Sequence, residues 1–340
     1  VRLSRSATIL ILGLSLATAA RAQDDFDLWI SEELLKGIVD SKSLLYSMEM
    51  TLQDRSNVHR LASDCEMHLA AVPQKAGLTA PKSFVVEPPN LCKNKPPDGS
   101  KSWEAFADAN LLAAGEACTI TGFPRILDEH LHGDEMPSNP HHGFELHPAT
   151  QITCGAVSLD TSGFLRHYPG MAEIKPASAA SCFEMAVRVR RNVGQRRYEL
   201  QVDRPSTCGN FFSYEMSIFT EWIRSINGSG PPSGHSAIAR VRPAGQNGDK
   251  TLKIYTLPGT PEDTLLEQWK TAGTAEPHHG AFFYGLTTID YFAIWKTVTD
   301  KQHNPRDVPD WTNVPFPLAM VVFGSVDDPN PEADEGGPFE

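Results

Sequence analysis

Apolar and polar positions change period along the chain, and each period predicts an element. Between residues 24 and 48 an acidic opening is followed by Leu28, Ile30, Leu34, Leu35 and Ile38 at helical spacing, which predicts one or two short helices. From Leu61 the period shortens to two. Cys65, Met67 and Leu69 alternate with Asp64, Glu66 and His68, as in a strand with one buried face. Phe84 to Glu87 is a second predicted strand, stopped at Pro88-Pro89 because two residues without an N–H end a ladder. A helix is expected from Trp103 to Ala114, a third strand from Cys118 to Phe123, and a fourth from Gly143 to His147 and Gln151 to Cys154.

The second half carries a clear hairpin signal, Cys182 to Arg191 and Arg196 to Asp203, around the turn-like Asn192-Val193-Gly194. Phe211 to Ile218 extends a sheet, and a helix is expected near Glu221 to Ile226. The Gly- and Pro-rich run from Asn227 to Gly234 reads as a loop. Ala237 to Val241 and Thr251 to Tyr255 form a second hairpin across Gly245 to Gly248. Thr260-Pro261-Glu262-Asp263 opens a helix, with Thr as the cap, Pro at the first position and acids on the positive end of the dipole. Leu286 to Thr299 is a further helical candidate, and no internal repeat of fixed period is present.

The ends change the picture. Arg2 and Arg5 precede an apolar run from Ala7 to Ala17, and Ala20 and Ala22 suit cleavage before Gln23, so residues 1–22 read as a signal peptide. That run is too short for a bilayer-spanning helix, and no later segment is apolar for long enough. The expected product is exported, periplasmic or extracellular, with a helical lead-in at 23–58, a β-rich domain at 59–158, an α+β domain at 159–324 and an acidic disordered tail at 325–340. Loss of Arg2, Arg5 and Arg21 takes the net charge from −12 to −15, a field that disfavours general nucleic-acid binding.

All six cysteines follow the expected cleavage point, and an even number in an oxidising compartment predicts disulfides. Each consecutive pair brackets a turn, which favours Cys65–Cys92, Cys118–Cys154 and Cys182–Cys208.

Five of the twelve histidines fall between Asp128 and His147. Strand geometry puts Glu145 and His147 on one face and Phe144 and Leu146 on the other, and groups Asp64, Glu66 and His68 in the same way. Imidazole and carboxylate are ordinary ligands of zinc and other divalent ions, so His130, His132, Glu145 and His147 form a candidate four-ligand set. Glu66, His68 and Glu87 are candidate acids or bases. In the second hairpin Arg188 and Arg190 share a face suited to a phosphate or carboxylate ligand, although charged outer strands also serve simply to block sheet-to-sheet aggregation. Two other patterns fail: the histidine pair with Glu135 lacks the spacing of a cupin motif, and Gly234-His235-Ser236-Ala237-Ile238 lacks the last glycine of a nucleophile elbow.

Asp64-Cys-Glu-Met-His-Leu69, Val86-Glu87-Pro-Pro, Thr121-Gly122 and Glu145-Leu-His-Pro148 resemble the D-x-[DE]-x-H-L, E-x-P and E-[IL]-H-P strands of poorly characterised exported bacterial β-domains. The resemblance covers about 90 residues of the N-terminal half and implies an OB-like barrel, with no activity to carry over. The expected fold is therefore β-rich α+β, a small OB-like or open-barrel N-terminal domain followed by a mixed sheet domain with helices. The expected function is a ligand-binding module, the alternative a metal-dependent hydrolase of phosphoesters or similar substrates.

Overall fold

The computed structural model describes residues 26–113, 115, 117–226, 234–242, 248–273, 278–300, 304–306 and 308–325. The expected signal peptide, most of the Asn227–Gly234 loop, the turn before Gly248 and the expected acidic tail after Ser325 lie outside the described residues.

In chain order, β1 (Leu28–Ser31) leads into α1 (Glu32–Asp40), and β2 (Tyr46–Arg55), β3 (Leu69–Pro73), β4 (Thr79–Ala80) and β5 (Phe84–Val86) follow. After α2 (Trp103–Ala107) come β6 (Ala117–His130), β7 (His142–Cys154) and β8 (Val157–Asp160). The second half contains α3 (Pro176–Ser181), β9 (Ala186–Asn192), β10 (Arg197–Asp203), β11 (Phe211–Phe219), β12 (Arg224–Ser225), β13 (His235–Val241) and β14 (Lys250–Thr256). It closes with α4 (Pro261–Ala272), β15 (His278–Ile289), α5 (Tyr291–Val298), β16 (Thr312–Asn313) and β17 (Leu318–Ser325).

These strands form three sheets. The first runs β5-β3-β2-β6-β7-β8, and the short β5 also reaches β7 by a parallel pairing of Val85 and Val86 with Glu145 and Leu146. The second runs β16-β9-β10-β1-β4. In the third, β11-β15-β17-β14-β13-β12, strand β11 pairs along its length with β15 and again, through Met216 to Ile218, with β13. That double pairing closes a five-stranded barrel within residues 211–325.

The barrel therefore lies in the C-terminal half, which corrects the expected order of an OB-like N-terminal barrel followed by a mixed sheet. Closure requires an edge strand to find a second neighbour: β11 does so through Met216 to Ile218, with Met216 and Ile218 buried, whereas the three-residue β5 meets β7 over only two residue pairs. The motifs read as marking an N-terminal barrel belong instead to the six-stranded first sheet and its loops. Two local expectations also change. Residues 46–55 are a strand, not part of a helical lead-in, and Leu61 to His68 is a loop, with β3 beginning only at Leu69. Near Glu221 the chain makes one tight turn and enters β12, and the helix expected from Leu286 begins at Tyr291, after β15.

Local signals hold elsewhere. Ser31 Oγ accepts from the Leu34 N–H at 3.0 Å and caps α1, whose Leu34, Leu35 and Ile38 face the core. Thr260 caps α4 as expected, accepting from the Asp263 N–H, with Pro261 in the first turn. The disulfides join consecutive cysteines, Cys65–Cys92, Cys118–Cys154 and Cys182–Cys208. Cys118 and Cys154 are direct cross-strand partners on β6 and β7. Loop closures of 26 to 36 residues are each worth roughly 3.5 to 4 kcal/mol in a chain-entropy account. No helix among the described residues is long and apolar enough to cross a membrane.

Candidate metal centre

The first sheet and the barrel meet over one face of β6 and β7, and the meeting turns a polar strand face into an interior. Arg125 on β6 is only 1% exposed. Its Nε donates to the Thr287 carbonyl of β15 at 2.7 Å, Nη2 to Asn210 Oδ1 at 2.6 Å, and Nη1 to Glu145 Oε2 at 2.5 Å. The His147 ring packs against Phe211 of β11, with centroids 6.0 Å apart.

Three short segments aim carboxylates and imidazoles into this interior. On β7, Glu145 and His147 share a face, as alternation requires. Glu87 follows β5, and its backbone is pinned to β7 on both sides, its N–H donating to Leu146 O and its carbonyl accepting from the Ala149 N–H. Glu66 sits on the loop before β3, held where the His59 N–H donates to its carbonyl and next in sequence to Cys65, which is crosslinked to Cys92.

His147 is caged by carboxylates: Nε2 lies 3.0 Å from Glu66 Oε1, and Nδ1 lies 2.6 Å from Glu87 Oε2 and 3.3 Å from Glu145 Oε2. The remaining oxygens point the other way. Glu87 Oε1 is 3.4 Å from His68 Nε2, and Glu145 Oε1 is 3.1 Å from His142 Nε2. From there imidazoles step outward. His142 stacks on His130 at 4.8 Å, His130 stands edge-on to His68 at 6.4 Å, and His68 edge-on to His59 at 4.6 Å, where His59 Nδ1 meets Asp64 Oδ1 at 2.7 Å.

Three groups in this pocket are capable of coordinating a divalent metal ion: His59, Asp64 and His68; His130, His142 and Glu145; and Glu66, Glu87 and His147. Within each group one donor atom per residue lies within 4.8 Å of the others. Comparison with protein-family models gives no match, and comparison with curated proteins gives none either, so neither supports the resemblance of the short N-terminal motifs. The chemistry has to be read from the donors, and carboxylate with imidazole suits zinc, manganese and iron rather than soft thiophilic ions.

The buried charges here need compensation, from protons or from a cation. Three buried glutamates against one buried guanidinium leave an excess of two negative charges when the imidazoles are neutral, and buried charge is costly unless it is compensated. Protons make up the difference in the metal-free chain. Burial pushes the Glu66 carboxyl up to about 8, against the pull of His147. Burial also raises Glu87, but the charge on His147 outweighs it and holds Glu87 at about 2. Glu145 is held well below the ordinary carboxylate range, burial being overcome by Arg125. His147 is raised well above its ordinary value, burial being overcome by Glu66 and Glu87. Burial lowers His130, the member nearer solvent.

Of the four residues proposed as ligands, His130 and Glu145 fall in one group and His147 in another, while His132 is exposed on the loop after β6 and joins none of the three. Glu66, His68 and Glu87 all reach the pocket. Sequence reasoning missed His142, which lies on the opposite strand parity from Glu145, and Arg125, whose signal was a lone cation inside the apolar run Phe123 to Leu127. Arg188 and Arg190 lie far along the chain from this pocket, on β9. Arg190 is engaged, its Nε 2.6 Å from Glu199 Oε2 and its guanidinium over the Trp311 ring at 4.5 Å. Arg188 lines a shallow cleft of about 770 Å³ with Phe26, Asp27, Gln201, Asp203 and Asn313. Two acids in that lining leave it poorly suited to an anion.

Proposed function

We propose that this protein is a metal-dependent hydrolase acting on phosphoesters or similar esters, with its centre in the Glu66, Glu87, Glu145 and His147 pocket. The observation that carries this reading is the convergence of Glu66, Glu87 and His147, all at most 4% exposed, with donor atoms within 4.8 Å of one another. A structural role alone rarely gathers three buried glutamates around one imidazole, since each carboxylate needs its own compensation. A divalent ion held there supplies the positive charge that polarises an ester oxygen and makes water a nucleophile at neutral pH.

The chain's residues divide the remaining work. Arg125 fixes Glu145 through Oε2 and joins the two halves that close the pocket. Glu87, pinned by its backbone to β7, holds His147 in orientation. His68 and His130, with side chains 14% and 28% exposed, stand on the side facing solvent, where a substrate enters and where His68 can carry a proton. The ligand-binding module expected first from the sequence becomes the fallback, supported if an ion binds and no ester is cleaved.

The test uses the full chain, stripped with chelator and then supplied with zinc or manganese, and follows hydrolysis of bis(p-nitrophenyl) phosphate. Expected are near-stoichiometric metal and turnover that both fall at least tenfold in Glu66→Gln and Glu87→Gln. Absence of bound metal, or hydrolysis indifferent to chelator, overturns the reading.

A further inference from the structure

Glu145 and Glu87 each present their two oxygens to different imidazoles. Glu145 Oε1 faces His142 and Oε2 faces His147; Glu87 Oε1 faces His68 and Oε2 faces His147. A carboxylate with imidazole nitrogens on both sides is the arrangement of a bridge between two cations. His142 strengthens the point. Its Nδ1 lies 2.6 Å from the Pro140 carbonyl, which has no proton to give, so Nδ1 donates there and Nε2 is the nitrogen left to meet Glu145 Oε1, 3.1 Å away. A backbone bond that sets the tautomer while the other nitrogen turns toward a carboxylate is the usual preparation of a histidine ligand. A single ion at Glu66, Glu87 and His147 would leave this second group, His142 and Glu145 with His130 beside them, without an ion of its own.

Resting on the metal site of the hydrolase reading, we propose that the pocket holds two divalent cations bridged by Glu145, one bound by His130 and His142 and the other by Glu66, Glu87 and His147, and that its substrate is a phosphodiester. The donors suit that occupant. Two divalent ions and Arg125 bring five positive charges against five carboxylates, Glu66, Glu87, Glu145, Asp64 beside His59, and Glu129, whose Oε2 lies 4.0 Å from His130 Nε2. A phosphodiester adds only one negative charge to that balance, and its two non-bridging oxygens can each meet one ion, as in other two-ion centres. A phosphomonoester dianion adds twice the charge, and a neutral carboxylic ester has one carbonyl oxygen to offer.

The experiment loads the chelator-stripped full chain with Mn²⁺, counts bound metal, and records the electron paramagnetic resonance spectrum at low temperature. Two equivalents per chain with an exchange-coupled multiline spectrum are expected. His142→Gln, which keeps the side chain's bulk, is expected to retain one equivalent and give an uncoupled six-line spectrum. One equivalent in the unaltered chain overturns the proposal while leaving a one-ion hydrolase standing. Two uncoupled equivalents overturn the bridge, and no metal overturns both readings. The unaltered chain decides the question even if the variant does not fold. For substrate class, turnover of bis(p-nitrophenyl) phosphate at least tenfold above that of p-nitrophenyl phosphate and p-nitrophenyl acetate is expected, and preference for either of the latter refutes the phosphodiester assignment.

Discussion

Arg125→Met in metal-free protein isolates the electrostatic core of the structure. Methionine preserves much of the apolar stem and removes the guanidinium, which contacts Glu145, Asn210 and the Thr287 carbonyl from a site 1% exposed. Glu145 then remains 3% exposed without the cation that chiefly lowers its pKa. Removing one partner of a buried pair costs about 3 to 5 kcal/mol, because an uncompensated charge stays inside. Urea unfolding followed by tryptophan fluorescence, with chelator present, reads that loss as a lower midpoint. Since Arg125 joins β6 to β15 and to Asn210, the variant is also expected to split one transition into two, as the first sheet and the barrel uncouple. Adding Glu145→Gln is expected to recover at least half of the loss, because the stranded charge is gone even though no bond is restored. A loss below about 1 kcal/mol for the single variant, or no recovery in the double, would refute the reasoning that Arg125 compensates Glu145.

Other outcomes follow from the same contacts. His132→Ala is expected to leave metal content and stability unchanged and His130→Ala to lower metal content, measured side by side by mass spectrometry of the metal; equal losses would place His132 in the centre. Replacing Cys118 and Cys154 together by Ala is expected to cost about 3 to 4 kcal/mol by denaturant titration, the crosslink joining direct partners of the longest hairpin. The metal-free chain should lose stability as pH rises. Glu66 is raised from 4.5 to about 8 and His147 is raised above 6.5, so their contributions are full below those unfolded values and fade as pH climbs through the folded ones. Glu87, held at about 2, acts oppositely: its contribution is present above 4.5 and lost as pH falls toward 2. Thermal melts in chelator are therefore expected to peak in weakly acidic buffer and to fall between pH 5 and 8, and a flat profile there would contradict the buried protons.

What could be read from the sequence was local. The disulfide partners followed from turns between consecutive cysteines, the β9–β10 hairpin from alternation through Val187, Val189, Tyr198 and Leu200, and the start of α4 from Thr260-Pro261. Where helix and strand signals overlapped, the reading slipped: Leu28 and Ile30 alternate on β1 before Leu34, Leu35 and Ile38 begin the stripe of α1, and the two runs together imitate one helical period. Closure of the barrel escaped for a different reason. It depends on Met216 to Ile218 pairing with Ala239 to Val241 while the same strand pairs with β15, and no local period records a second neighbour.

The pocket shows why a polar strand face can be found in a sequence and still be misread. Alternation placed Glu145 with His147 correctly but gave no reason to prefer an interior over a wet surface, since both faces of a half-buried strand obey the same period. The decision is tertiary: Asn210, Phe211 and Thr287, all from the second half, cover that face and force Arg125 with Glu145, and His147 with Glu66 and Glu87, to compensate one another out of water. His142 lies outside the alternation altogether, because its ring reaches Glu145 from the adjacent parity with Nδ1 tied to Pro140. A sequence signal for such a site is therefore not a ligand spacing but an excess of charge in segments that otherwise read as core, here Arg125 within Phe123 to Leu127 and Glu66 between Cys65 and Met67. Both residues are 1% exposed, Arg125 compensated by Glu145 and Glu66 by His147 and a raised pKa, since neither charge could be buried alone.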